Sequence, residues 1–567
     1  MIINSKLSAL YVGARGNLFR LWLYNINDTS STALFEHKMF SINPEEKEEC
    51  LKMGNSEREC DFWIRQMFIK SNGDLLFCSS QSMKPQLGSV DGHSLIEKQE
   101  SHTQIGICSQ HEGLNTTAVY TEEGNPDDLP AIYSGIRTGL SLENQLIYRP
   151  PLMSVDGNRE VHPALRTPIY DSNWLNEPQF VGSFSSGPYI FFFFREQLTS
   201  ANCNNNKGSV VSRVARLCKS DLGGRQVLRQ VWTSFVKANL NCSLNGFYFN
   251  QIQSVTRVDL SDEIGSNSLF YSTFIAAENT PYQSSAICVF DNGPFLEQQS
   301  AESGCWATIS AEQISIQGKR PGTCQEDTRQ LSDEDLHFAK QHLLMAEQIQ
   351  SLGNNPIIHK GQTIFTSLVA NIIEDKEKKE NNKILLFVYA PKINSIAILP
   401  GEYIYLTNEK RVEQYRIGQC SLYGQNCKNC VRDPLCSWSI HRRECFPSEI
   451  KHSNTAGWLT TDETSIYKDD DDNNKLVEYS ITVDRENCVK PKSVEQFHAV
   501  QREWCRRMDN YRNNLSKWQS LYEQTKEENI KNCPIREDKF LLNKKYNQSV
   551  VEIPNPDSET GYGSNKR

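Results

Sequence analysis

The chain has 567 residues, 38% hydrophobic and 23% charged, enough apolar material for a sizeable core. Sixty Lys and Arg against 69 Asp and Glu leave a net charge of −9, which excludes nucleic acid as the main partner because phosphate binding needs a basic surface. The longest apolar run is the seven residues from Ile384 to Ala390; a membrane span needs about 20, so no transmembrane helix is predicted.

In chain order, residues 1–419 read as β-rich. Apolar, aromatic and β-branched runs recur between turn clusters at 10–24, 75–78, 180–184, 189–194, 247–260, 269–276, 286–290, 384–389 and 403–417. A strand–turn–strand plan starting at Tyr11 returns at Tyr403. Matching hairpins at the two ends of a long β region suggest a closed radial repeat, a β-propeller; the alternative is two unrelated hairpins. Helical signals are few. Ser332-Asp-Glu-Asp335 is a capping box in which Asp335 returns the Ser332 bond, with Leu336, Ala339, Leu343 and Leu344 following at helical spacing. Phe497, Val500, Trp504, Met508, Tyr511, Leu515, Trp518 and Tyr522 form one apolar stripe and predict a second helix. The acidic run 468–475 lacks the alternating ligands and central Gly of a calcium loop and reads as a solvated turn.

Eighteen cysteines are too sparse for a miniature disulfide scaffold and numerous for a reducing compartment. Cys420, Cys427, Cys430, Cys436 and Cys445 lie close together, and Asn-x-Ser/Thr sequons stand at Asn27, Asn115, Asn241, Asn514 and Asn547. Together they predict an extracellular protein, secreted or cell-surface, glycosylated at Asn27, Asn115 and Asn241. The opening residues show no basic region followed by an apolar one, so no signal peptide is visible and an incomplete N-terminus is expected.

Phosphate-loop, dinucleotide, zinc-protease and nucleophile-elbow motifs are all missing. His337 and His342 are five apart, whereas helical metal pairs prefer three or four. Cys427-x2-Cys430 has no second Cys-x2-Cys to complete a zinc site, and Trp438 amid the cysteines favours disulfides. No enzyme, metal or cofactor is therefore expected, although a Ser/His/Asp triad is assembled only by folding and stays open at this level.

Several stretches resemble semaphorins. Phe191-Phe-Phe-Phe-Arg-Glu196, preceded by Trp174-Leu-Asn-Glu-Pro-Gln-Phe-Val-Gly-Ser, looks like their third propeller blade. Ser212-Arg-Val-Ala-Arg-Leu-Cys-Lys-Ser-Asp-Leu-Gly-Gly224, Trp232-Thr-Ser-Phe-Val-Lys-Ala-Asn-Leu-Asn-Cys242, Ser285-Ala-Ile-Cys288 and Arg320-Pro-Gly-Thr-Cys324 follow in family order. Cys420-Ser-Leu-Tyr-Gly and Asp433-Pro-Leu-Cys-Ser-Trp438 look like the small plexin–semaphorin–integrin (PSI) module. The resemblance implies an all-β, seven-bladed sema propeller over 1–419 with a helical insertion at about 325–360, a PSI module over 420–490, and a helical tail over 491–567 without a recognisable immunoglobulin domain. It implies an extracellular guidance ligand, usually a homodimer, that binds plexin receptors near blades 3 and 4 and signals in axon guidance and cell migration. The alternative is a receptor-side sema protein, a fragment of a plexin or scatter-factor receptor.

The same resemblance implies disulfides Cys50–Cys60, Cys218–Cys324 and Cys242–Cys288 in the propeller, and Cys420–Cys436, Cys430–Cys445 and Cys427–Cys488 in the module. It places the receptor surface at 197–207 and 219–229, where Lys219, Arg225 and Arg229 form a positive cluster; ordinary solvated charge is the plain alternative. The sequence also departs from the family. The family's partner for Cys78 would fall at Leu87, leaving Cys78 to pair with Cys108 or stand free; Cys203 and Cys305 are further unplaced cysteines that could pair with each other. The N-terminal strand that closes the ring and most of the strands between Tyr389 and Ile393 are missing, which predicts exposed strand edges and aggregation.

Overall fold

In the computed structural model the β-rich region resolves into seven consecutive sheets, each an antiparallel meander. The structure describes residues 1–480 apart from several gaps; the longer ones are 199–209, 261–267, 277–282, 294–321, 374–382, 448–457 and 468–476. The first sheet comprises Ile2–Asn4, Ala9–Ala14, Asn17–Trp22 and Glu36–Met39, and the second Trp63–Ile69, Leu75–Gln81, Lys84–Val90 and Glu97–Thr103. The third comprises Thr117–Thr121, Ala131–Thr138, Asn144–Arg149 and Leu165–Arg166; the fourth Gln179–Ser186, Tyr189–Gln197, Val210–Cys218 and Val236–Asn241. The fifth comprises Gln251–Asp259, Ser268–Ile275, Ser284–Asp291 and Ile358–Gly361. The sixth has two strands among the described residues, Ser367–Ile373 and Lys383–Tyr389, and the seventh three, Ser395–Leu399, Tyr403–Thr407 and Val412–Arg416. First strands of successive sheets lie beside one another from the second sheet to the sixth. That radial order is the seven-bladed β-propeller predicted from the sequence.

Phe191 to Phe194 show why a blade reads as an apolar run rather than as an alternation. All four side chains are fully buried. Phe192 and Phe194 enter the core between the third and fourth blades, with Tyr133, Ile147 and Phe180. Phe191 and Phe193 enter the core between the fourth and fifth, with Ile252, Phe270 and Phe274. The two-residue period of a strand thus feeds two cores, because a blade is covered on both faces. Each such Phe stabilises the fold by roughly 1.5–3 kcal/mol. Gly135 permits the close approach: a Cβ there would lie 2.5 Å from the ring of Phe180.

Between the third and fourth strands of the fifth blade the chain leaves the sheet, and its described part returns along the fourth blade. The helix Asp333–Gln341 is capped by Ser332, whose Oγ accepts from the Asp335 amide at 3.1 Å. The return bond differs from a full capping box, because Ser332 Oγ donates to Asp335 Oδ2 at 2.8 Å. The helix ends before Leu343 and Leu344, which the periodicity had included. There the chain is extended: the Lys237 amide donates to Leu343 O and the Met345 amide to Lys237 O, both at 2.8 Å. Ile349–Gln350 then adds a parallel fifth strand against Leu240 and Asn241.

Of the described residues, Met1–Ile398 and Tyr405–Gln414 group as one compact unit, and Leu399–Ile404 with those from Tyr415 to 480 as a second. In the second, Cys436–Ser439, Glu444–Pro447 and Trp458–Leu459 form a small sheet. Buried Trp438 packs among Cys420, Cys427, Cys430, Cys436 and Cys445. The structure pairs Cys50–Cys60, Cys78–Cys108, Cys218–Cys324, Cys242–Cys288, Cys420–Cys436 and Cys430–Cys445. Cys78 faces Leu87 across the second blade and bonds instead to Cys108, on the connection to the third. The clustered sulfurs of Cys420, Cys436 and Cys445 lie close enough for a metal but are committed to disulfides. Cys427 is disulfide-bonded. Its expected partner Cys488 lies outside the described residues, as do Cys203, Cys305, the acidic run 468–475 and the predicted helix over 497–522. No described helix is long and apolar enough to cross a membrane.

Candidate interaction surface

The expected receptor segments both belong to the fourth blade, not to the third and the opening of the fourth. Tyr189 stands opposite Cys218, and Gln197 opposite Val210. The connection after Gln197 therefore leaves one end of these strands and the connection after Cys218 the other, roughly 27 Å away at 3.4 Å per residue. Residues 199–209 lie outside the description, whereas the segment after Cys218 is described throughout.

That segment is organised by a buried carboxylate. Asp221 is fully buried. Its Oδ1 accepts from the Gly223 amide at 2.8 Å and from Thr233 Oγ1 at 3.0 Å. Its Oδ2 accepts from the Thr233 and Ser234 amides at 2.8 and 2.9 Å and from Ser234 Oγ at 2.7 Å. Five donors satisfy both oxygens, as a buried charge requires. Arg149, also fully buried, donates from Nη1 to the Asp221 carbonyl at 3.0 Å and lies over the Trp232 ring.

Lys219 does not belong to a solvent-facing cluster. It is 5% exposed, and its Nζ donates to Glu123 O at 3.2 Å. Burial holds its pKa below the ordinary lysine value. As the residue directly after a buried strand, it points under the neighbouring blade's loop. Arg225 and Arg229 are exposed and form no ion pair among the described residues. A third arginine joins them. The Arg166 amide donates to Gln230 O at 3.2 Å and the Trp232 amide to Arg166 O at 3.3 Å, placing exposed Arg166 beside the segment. Tyr170, four residues on, is 87% exposed with φ +69°, a left-handed conformation that costs a bulky residue strain. Arg166 and Tyr170 had no signal in the sequence, since only folding brings 166 to 231. The surface is thus a guanidinium edge, Arg166, Arg225 and Arg229.

Toward the Gln197 end of its strands the fourth blade holds a buried ion cluster. Glu196 Oε1 accepts from Arg213 Nε at 3.0 Å and from Lys237 Nζ at 2.6 Å. Lys237 Nζ also donates to Trp174 O at 2.8 Å. Burial, assisted by neighbouring Arg213 and opposed by Glu196, lowers Lys237 to about 8.

Of the glycosylation candidates, Asn27 and Asn115 are exposed. Asn241 donates from Nδ2 to Gln350 Oε1 at 2.7 Å, and its Oδ1 is buried.

Comparison with known proteins agrees with this architecture. Residues 252–387 match the Sema domain family. Over 499 residues the chain is 31% identical to Semaphorin-2A of Drosophila melanogaster, covering 79% of this chain and 67% of that protein. The solved structure of Drosophila Semaphorin 2a superposes with a TM-score of 0.70 at 28% identity, covering 82% of this chain and 80% of the other. Semaphorin 1b, solved in complex with Drosophila Plexin A, gives 0.63 at 25% identity, covering 81% and 93%. The chain belongs to the semaphorin family.

Proposed function

We propose that this protein is an extracellular guidance ligand, secreted or cell-surface, that binds a plexin-type receptor as a homodimer and acts in axon guidance and cell migration rather than as an enzyme. The observation that carries the reading is the unpaired guanidinium edge on an otherwise acidic semaphorin propeller. Exposed arginines suit an acidic protein surface, steering encounter by charge. The solved partnership of a related semaphorin with Plexin A supports the receptor class. We assign 1–419 to the sema domain, 420–490 to the PSI module and the remainder to a tail.

The test is surface plasmon resonance of the chain on immobilised plexin ectodomains. Arg225→Glu with Arg229→Glu should slow association several-fold while leaving the melting temperature unchanged. Unchanged affinity for every plexin tried would overturn the placement.

A further inference from the structure

We propose that Asp221 and Thr328 are positioning residues for the arginine edge, the inserted segment of the fifth blade splinting the basic loop of the fourth. The inference rests on the receptor-edge reading above. Residues 219–235 link two strands and lack a sheet partner along most of their length. Asp221 gathers both ends, 223 on one side and 233–234 on the other. The middle arches outward, with the Gly224 and Val231 amides both donating to Leu228 O at 3.1 and 3.0 Å. Leu228 and Gln230 adopt φ of 56° and 57°, conformations that persist only where the surroundings over-determine them.

The insertion supplies part of those surroundings. Thr328, 1% exposed, accepts the Leu222 amide on Oγ1 at 3.0 Å and donates the same hydroxyl to Gly223 O at 3.0 Å, with Asp221 Oδ1 farther off at 3.4 Å. One side chain thereby serves a main-chain donor and a main-chain acceptor of two consecutive residues, as a neighbouring strand could. Contacts on either side fix its position. Arg216 Nη2 donates to Gly322 O at 2.9 Å, Cys218 is bonded to Cys324, and Ser220 Oγ donates to Gln325 O at 2.9 Å. Leu336 packs in the same core as Leu228 and Trp232. The loop carrying Arg225 and Arg229 thus takes its shape from a segment about 100 residues later in the chain, and losing the Thr328 hydroxyl should blunt receptor binding while sparing the blade cores.

Thr328→Val and Thr328→Ser in the full chain test this. In the free protein, Thr328→Val should speed hydrogen exchange of the amides at 222–231. On plexin ectodomain it should weaken affinity about fivefold, the equivalent of one lost buried hydrogen bond, and Thr328→Ser should restore both. In an Arg225→Glu/Arg229→Glu background, Thr328→Val should add nothing, since it acts through the arginines; a general loss of structure would weaken both backgrounds alike. Wild-type affinity with loosened amides, unchanged amide exchange, or an equal loss in both backgrounds would overturn the inference. If charge reversal alone leaves binding intact, the receptor-edge reading fails and takes this inference with it; if it weakens binding while Thr328→Val does not, only the inference fails.

Discussion

The hydroxyl of Tyr405, in the seventh blade, donates to the carbonyl oxygen of Leu23 in the first, 382 residues earlier. Gln414 Nε2 donates to the same carbonyl at 3.0 Å, and its Oε1 accepts from the Ile26 amide at 3.2 Å. The sequence led us to expect an unclosed ring here. Among the described residues the first and last blades are instead joined by side chains that bond to main-chain groups.

This seam predicts non-additivity. With two donors on one carbonyl, Tyr405→Phe alone leaves Leu23 O satisfied and should cost about 1 kcal/mol or less. The double variant Tyr405→Phe/Gln414→Ala leaves that buried oxygen without either partner. In urea melts it should lose at least about 1 kcal/mol beyond the sum of the singles. Strict additivity would mean the two side chains do not share the acceptor in solution.

Cys78 and Cys108 should be bonded to each other in the folded protein. Their bond closes a 30-residue separation between the second blade and the connection to the third, worth roughly 3–4 kcal/mol in the chain-entropy account. Non-reducing peptide mapping should recover the pair. Replacing both by Ala should lower denaturant stability by an amount of that order, and a free Cys78 thiol would contradict the arrangement.

The buried ion cluster predicts a pH dependence. Lys237 titrates near 8 in the fold and near 10.5 when unfolded, so between these values the unfolded chain holds the extra proton. Stability should therefore rise as pH increases from about 8 to 10.5, and the cost of keeping the buried ammonium, on the order of 3 kcal/mol, is present below that window. Lys237→Met leaves Glu196 paired with Arg213 and should flatten this slope. Glu196→Gln leaves two buried cations without their carboxylate and should cost about 3–5 kcal/mol. Parallel pH profiles for wild type and Lys237→Met would dismiss the assignment.

What the sequence could and could not disclose follows from the range of each signal. The four-phenylalanine run announced a strand locally, but its division between two cores depends on a blade having two neighbours. The abrupt passage from Tyr389 to the next strand was visible in the chain and goes with a sixth sheet of two strands among the described residues. The positive cluster was misjudged at Lys219 because charge is legible in a sequence and burial one residue past a strand end is not. The receptor segments seemed adjacent because they are close in sequence, whereas antiparallel register sets the residues they start from, Gln197 and Cys218, at opposite ends of the strands. Arg166 and Thr328 meet the basic loop from about 60 residues before and 100 after, beyond any local pattern.

The sequons separate by the same kind of contact. Asn27 and Asn115 face solvent; a glycan at Asn115 gives up only the 3.2 Å bond from its Nδ2 to Gln179 Oε1, with no inserted strand resting on it. Asn241 ends the fourth strand of the fourth blade, pairs with Gln350 of the inserted segment and precedes the Cys242–Cys288 bond. A sugar on its Nδ2 would replace the 2.7 Å bond to Gln350 Oε1 and wedge the Ile349–Gln350 strand off the sheet edge, which also exposes Leu240 and Ile349, both now buried. Because transfer of the glycan precedes folding, chains modified at Asn241 should be the ones that fail to mature. Glycopeptide mass spectrometry of protein secreted from animal cells should find glycans at Asn27 and Asn115 and an unmodified Asn241. Asn241→Gln should leave secretion nearly unchanged, since Gln can still reach Gln350. A fully occupied Asn241 in folded, secreted protein would show that the inserted strand does not rest on this edge.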